Sequence, residues 1–228
     1  MITQIVMIST IILLSFCGAY FYKKSKETNF PSARVFSLGL FLIAVAVLFY
    51  SIRDIFVQMQ KYEIQKNFLV VGGFLHIIGA YLILWFLAKE FGKKAYRYFY
   101  YFLFGVLLFG FGLFLTGKFF KLGSEVQKAP FEPFNYYVVR NYLEDPSGNI
   151  ILWSVIITIS ILVLSITFTN LLKEKGNKEA IKKGLLYSFG IWFLIGPMII
   201  CATLSPVFAR IGYLIGAILI YLSTKIKI

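Results

Sequence analysis

The sequence predicts an all-α membrane protein: a bundle of seven transmembrane helices in one domain over residues 1–228, with the N-terminus outside and the C-terminus cytoplasmic. Three observations carry this expectation. Hydrophobic residues make up 59% of the chain and charged ones 14%, whereas soluble domains are about 45–50% apolar; the mean hydropathy is +0.80. The apolar residues fall into seven runs of about 20 residues, each long enough as a helix to cross a hydrocarbon core of about 30 Å. Lysine and arginine gather in alternate connections between those runs, as the positive-inside rule requires of a chain that threads back and forth.

The first span, residues 2–22, has no charge before it and is followed by Lys23, Lys24 and Lys26, so it reads as a retained helix rather than a cleaved leader. The second, 35–57, carries Arg53 and Asp54 about one turn inside its end. The third, 67–88, holds the only histidine, His76, on a stripe with Gly72, Gly79 and Ile83. Small residues admit a close neighbouring helix, so the imidazole is expected to face protein rather than lipid. The fourth, 98–117, opens on an aromatic cluster directly after the basic run Lys89, Lys93, Lys94 and Arg97, the mark of a membrane interface.

Residues 118–149 form the only long connection, expected outside the membrane as a lid, a binding loop or a short element on the bilayer surface. The fifth span, 150–172, begins near Trp153 and aligns Ser154, Thr158, Ser165 and Thr169 on one face. The sixth, 184–203, contains Gly196 and Pro197, a kink and the candidate hinge. The seventh, 207–223, starts near Arg210 and carries Gly212 and Gly216 as a GxxxG packing pair.

With this orientation the cytoplasmic segments carry 15 of the 23 basic residues. The net charge of +13 is therefore a topology signal that also attracts anionic lipid; no nucleic-acid surface is expected. Cys17 and Cys201 fall on different spans near opposite faces and are expected to be free thiols. Arg53, Asp54, Trp153 and Arg210 lie at one depth near the outer surface, with His76 deeper, and together are candidates to line an outward-opening pocket.

Catalytic and cofactor chemistry is not encoded in any recognisable pattern. There is no HExxH or GxSxG, and a single histidine cannot supply paired haem ligands, so no metal, cofactor or enzymatic activity is expected. Helix number and orientation resemble microbial rhodopsins, although the seventh span lacks a mid-helix lysine for retinal. The layout is similar to the seven-helix sensor regions that precede bacterial kinase domains. It also resembles the SWEET class of sugar transporters, from which it departs in having no proline in spans one to five.

The expectation that follows is a non-enzymatic, receptor-like or sensor-like bundle in the cell membrane. Its basic cytoplasmic loops would contact a protein partner. The alternatives are a small-molecule transporter or channel subunit, favoured by Gly196, Pro197 and the hydroxyl face, and an accessory subunit of a membrane complex.

Overall fold

The computed structural model describes residues 2–91, 97, 98, 101, 104, 105, 108, 122–128, 137–143, 154, 158, 161, 165, 176–195 and 206–226. Among these, the elements are α1 (Ile2–Glu27), α2 (Ser32–Gln58), α3 (Tyr62–Phe91), β1 (Leu122–Lys128), β2 (Tyr137–Leu143), α4 (Lys178–Ile195) and α5 (Pro206–Lys225). Four of the five helices are long and apolar enough to cross a membrane: α1, α2, α3 and α5. The described positions within 97–108 and 154–165 are helical.

Lipid is the solvent that these surfaces fit. On α1, Ile5, Ile8, Ile12 and Phe16 recur at helical spacing and point away from the core, and Phe208, Ile211, Ile215, Ile218 and Leu222 do the same on α5. The opposite faces bury Met7, Leu14 and Cys17, and Ala209, Tyr213, Ala217 and Ile220. Helices that are apolar all round belong in a membrane or the core of a large protein.

Sharp turns join the first three helices into an antiparallel layer. Asn29 takes a left-handed φ of 49°, which closes α1, and Pro31 stands at the N-cap of α2. α2 packs on both α1 and α3, α5 packs on α1 and α4, and β2 rests on α2 and α5. Ser37 donates from within α2 to the Gly18 carbonyl of α1 at 2.7 Å, satisfying a buried hydroxyl between the two helices.

One end of the bundle is basic. α1, α3 and α5 all finish there, and each does so with an aromatic ring one turn before a lysine. The ammonium of Lys26 lies 4.7 Å from the Tyr22 ring, that of Lys89 4.7 Å from Trp85, and that of Lys225 4.9 Å from Tyr221. Lysine stems that run along aromatic faces toward water are the mark of a bilayer interface. Lys183 of α4 is at the same end: its own burial and the nearby Lys24 hold its amine below the usual 10.5.

Among the described residues, the opposite end carries a departure from an all-α fold. Within the long connection, β1 and β2 form an antiparallel hairpin registered from Leu122 opposite Leu143 to Lys128 opposite Tyr137. The helices also overrun the apolar spans by up to about a turn and a half, because polar ends such as Lys23 to Glu27, with an ion pair at 3.9 Å, continue the helix into water. As a result His76 sits about 21 Å along α3 from its hairpin-end start, deeper than the apolar boundary implies.

Candidate functional site

Close helix crossings come first, since they decide which side chains meet. A β-carbon on Gly39 would stand 2.8 Å from the Gly79 carbonyl oxygen and 2.7 Å from Ile83. One on Gly79 would meet the Gly39 oxygen and Ile43, each at 2.8 Å. α4 and α5 cross the same way: a β-carbon on Gly190 would meet the Gly216 oxygen at 3.0 Å and Ile220 at 2.7 Å, and one on Gly216 would meet the Gly190 oxygen at 2.9 Å. Both backbones approach where only hydrogen fits. Gly212 is looser, 4.0 Å from its nearest neighbour on the same test, and Gly73 faces open space.

The four aliphatic side chains one turn beyond these glycines, Ile43, Ile83, Leu194 and Ile220, are fully buried. They form a dry layer across the bundle. Toward the basic end follows an aromatic layer. The Phe36 ring packs 4.9 Å from Phe21, 5.1 Å from Tyr187 and 5.1 Å from Phe86.

Toward the hairpin the bundle becomes polar. The Tyr213 hydroxyl lies 3.0 Å from His76 Nδ1, joining α5 to α3. Tyr50 of α2 stacks on Tyr213 with centroids 6.3 Å apart and approaches the His76 ring at 6.4 Å. Gly72 makes room for it: a β-carbon there would stand 2.7 Å from the Tyr50 ring. An imidazole and two phenols thus share one level, each able to donate and to accept hydrogen bonds.

About one turn nearer the hairpin is an ionic layer. Asp54 Oδ1 accepts from Arg53 Nη2 at 3.3 Å and from Arg210 Nη2, with the side chains 1%, 8% and 4% exposed. Arg53 also donates to the Val139 carbonyl of β2 at 3.4 Å. Gln58 extends the dock: its amide donates to the Tyr137 carbonyl and accepts from the Tyr137 N–H at 3.1 Å, imitating one rung of a sheet ladder. Val138 and Val139 are buried beneath the hairpin, and Val138 clusters with Val207. The hairpin therefore covers a buried ion network at the outer level where the sequence groups Arg53, Asp54 and Arg210.

Of the residues singled out from sequence, the structure brings Arg53, Asp54 and Arg210 into one network with His76 one layer below. Gly72 and Gly79 of α3 pack against α2, and Gly216 of α5 packs against α4. Trp153, Gly196, Pro197 and Cys201 lie outside the described residues. Cys17 is a buried free thiol. Among the described residues no three potential metal ligands converge.

Sequence reasoning passed over Tyr50, Tyr213 and Gln65. Tyr50 precedes Asp54 by four residues and Tyr213 follows Arg210 by three, so each lies one turn below a charged residue on the same face. Gln65, seven residues before Gly72, is fully buried, and its amide has no hydrogen-bond partner among the described residues.

No protein-family model matches the chain, and no curated protein is significantly similar to it.

Proposed function

We propose that the chain is a multi-pass carrier of the cell membrane that passes a small solute between helices. It crosses the membrane seven times, with the hairpin end outside and the basic end in the cytoplasm. Residues 98–117 and 150–172 supply the crossings beyond those described as continuous helices. The observation that carries the proposal is the layering along the bundle axis. A polar level of Tyr50, His76 and Tyr213 is closed on one side by Asp54, its arginines and the hairpin. On the other side it is closed by the Ile43, Ile83, Leu194 and Ile220 layer and the aromatic rings. A binding level near the midplane with separate closures on both sides is what alternating access requires.

The sensor reading keeps one observation of its own: the hairpin is anchored by Gln58 and Arg53, so a ligand outside could shift α2 and α5 without crossing. In that reading the basic loops contact a cytoplasmic protein.

The two readings separate in proteoliposomes. Stopped-flow light scattering after an osmotic step with glycerol, acetamide, succinate or methylammonium reports flux of each solute. Transport predicts that at least one solute equilibrates faster than in protein-free vesicles, with the excess abolished by His76→Phe. No excess for any of the four overturns it.

A further inference from the structure

Two pairs of sequence windows match at the crossing glycines. FSLGLFLI at 36–43 of α2 aligns with YSFGIWFL at 187–194 of α4, sharing an aromatic, a serine and the glycine at the same places. HIIGAYLI at 76–83 of α3 aligns with YLIGAILI at 213–220 of α5 and shares five of eight residues, within the pattern IGAxLI. Burial agrees position by position: over 38–44 and 189–195 the sequence of exposed, buried and half-buried residues is the same. The helix directions agree as well, since α2 and α4 both start at the basic end and α3 and α5 both finish there.

Equivalent residues also touch one another. Phe36 corresponds to Tyr187, and their rings are 5.1 Å apart. His76 corresponds to Tyr213, and they share the 3.0 Å hydrogen bond. A residue meets its own counterpart only near a two-fold axis, so two separate self-contacts trace an axis that runs along the bundle. We infer that the chain is an internal duplication of parallel repeats, and that the His76 and Tyr213 pair on its axis is a binding site for an uncharged, hydrogen-bonding solute such as a polyol or amide. Among the described residues the repeat pairs α2 and α3 with α4 and α5.

The solute class follows from the site. The axial level offers an imidazole and phenols, and its walls are the dry Ile and Leu layer below and an ion network above whose carboxylate already binds both guanidinium groups. A cationic solute would lose its hydration there and face the excess guanidinium charge, and an anionic one would lose its hydration about one turn short of that charge, costs that an uncharged one avoids.

The repeats differ at the hairpin end. The crossing glycines are 40 residues apart in sequence in the first repeat and 26 in the second, so 14 fewer residues separate them in the second. Arg53 and Gln58 stand within the longer first repeat and hold the hairpin, with Asp54 beside them pairing the two arginines. The position equivalent to Arg210 is Gly73, which faces open space. The outer closure is thus an asymmetric addition to a symmetric core.

Exchange across the axis tests the duplication directly. His76→Tyr and Tyr213→His are each expected to lower the melting temperature, and the double exchange, which restores one imidazole and one phenol, to recover at least half of the summed loss. Phe36→Tyr with Tyr187→Phe makes the milder exchange, with the same recovery expected should a histidine variant not fold. Losses that add in both pairs refute the duplication. The deduced solute class rests on the transport reading and is tested by the flux panel. Glycerol or acetamide passing at least tenfold faster than succinate and methylammonium supports it. Passage of a charged solute at a similar or higher rate overturns the class while leaving transport standing, and no flux at all removes both.

Discussion

Replacing Asp54 by leucine probes the contact that binds α2 to α5 under the hairpin. The carboxylate is 1% exposed and serves two guanidinium groups that are 8% and 4% exposed. Without it both cations stay buried with their shared counter-charge gone, a loss of about 3–5 kcal/mol when one member of a buried ion network is removed. In a chain of this size about 1 kcal/mol moves the melting temperature by about 2–4 °C, so Asp54→Leu is expected to melt about 6–20 °C below the parent. Adding Arg210→Leu removes one stranded cation, so the double variant is expected to melt above Asp54→Leu alone, with a coupling of at least about 1 kcal/mol. The assay is thermal unfolding in detergent followed by size-exclusion chromatography. An Asp54→Leu melt within 1 °C of the parent, or a double variant whose losses simply add, would refute the reasoning, with about 0.5 kcal/mol as the tolerance for additivity.

The glycines should sort by what their β-carbons meet. Gly79→Ala forces the Gly39 carbonyl apart from α3 and is expected to cost about 1–3 kcal/mol, while Gly73→Ala, which meets nothing, leaves the melt unchanged or raises it by up to about 1 kcal/mol. Equal losses at the two positions would dismiss the close crossing. Gln58→Ala removes the paired hydrogen bonds to Tyr137, so amide exchange in residues 137–143 should accelerate at least threefold while α1 exchange stays constant. The Lys183 amine has a folded pKa below its ordinary 10.5, so the folded state prefers the neutral form and stability rises as pH climbs through the folded value toward 10.5. Lys183→Gln is expected to flatten that rise in a melting series from neutral pH to pH 10.5, and an unchanged slope contradicts the assignment.

The membrane character was legible because it rests on run length and composition, which need no tertiary information. Helix ends were not, since apolar length says where lipid begins and ion pairs such as Glu63 with Lys66 at 3.1 Å carry α3 on into water. The hairpin was hidden for a different reason. Val138 and Val139 are adjacent and both buried, which breaks strand alternation, and β2 is held by Gln58 and Arg53 from about 80 residues away in the chain. Depth alone placed Arg53, Asp54 and Arg210 at one level. That they close on each other under a lid depends on α2 meeting α5, which no local pattern states. Tyr50 and Tyr213 were missed because tyrosine in an apolar run reads as an interface residue. The repeated glycine windows were the available signal that those helices meet in equivalent pairs.

Paired distance measurements across the two halves test the central claim most directly. Spin labels at Arg34 and Lys182 span the basic end, and labels at Met59 and Phe208 span the hairpin end, in protein reconstituted in lipid nanodiscs with Cys17 and Cys201 replaced by alanine. A carrier built from two rocking repeats predicts two distance populations at each end, shifting in opposite directions when the Asp54 network is broken by Asp54→Leu: the hairpin end opens and the basic end closes. A single, unchanged distance at both ends in the parent and in the folded variant would show a static bundle and contradict the account.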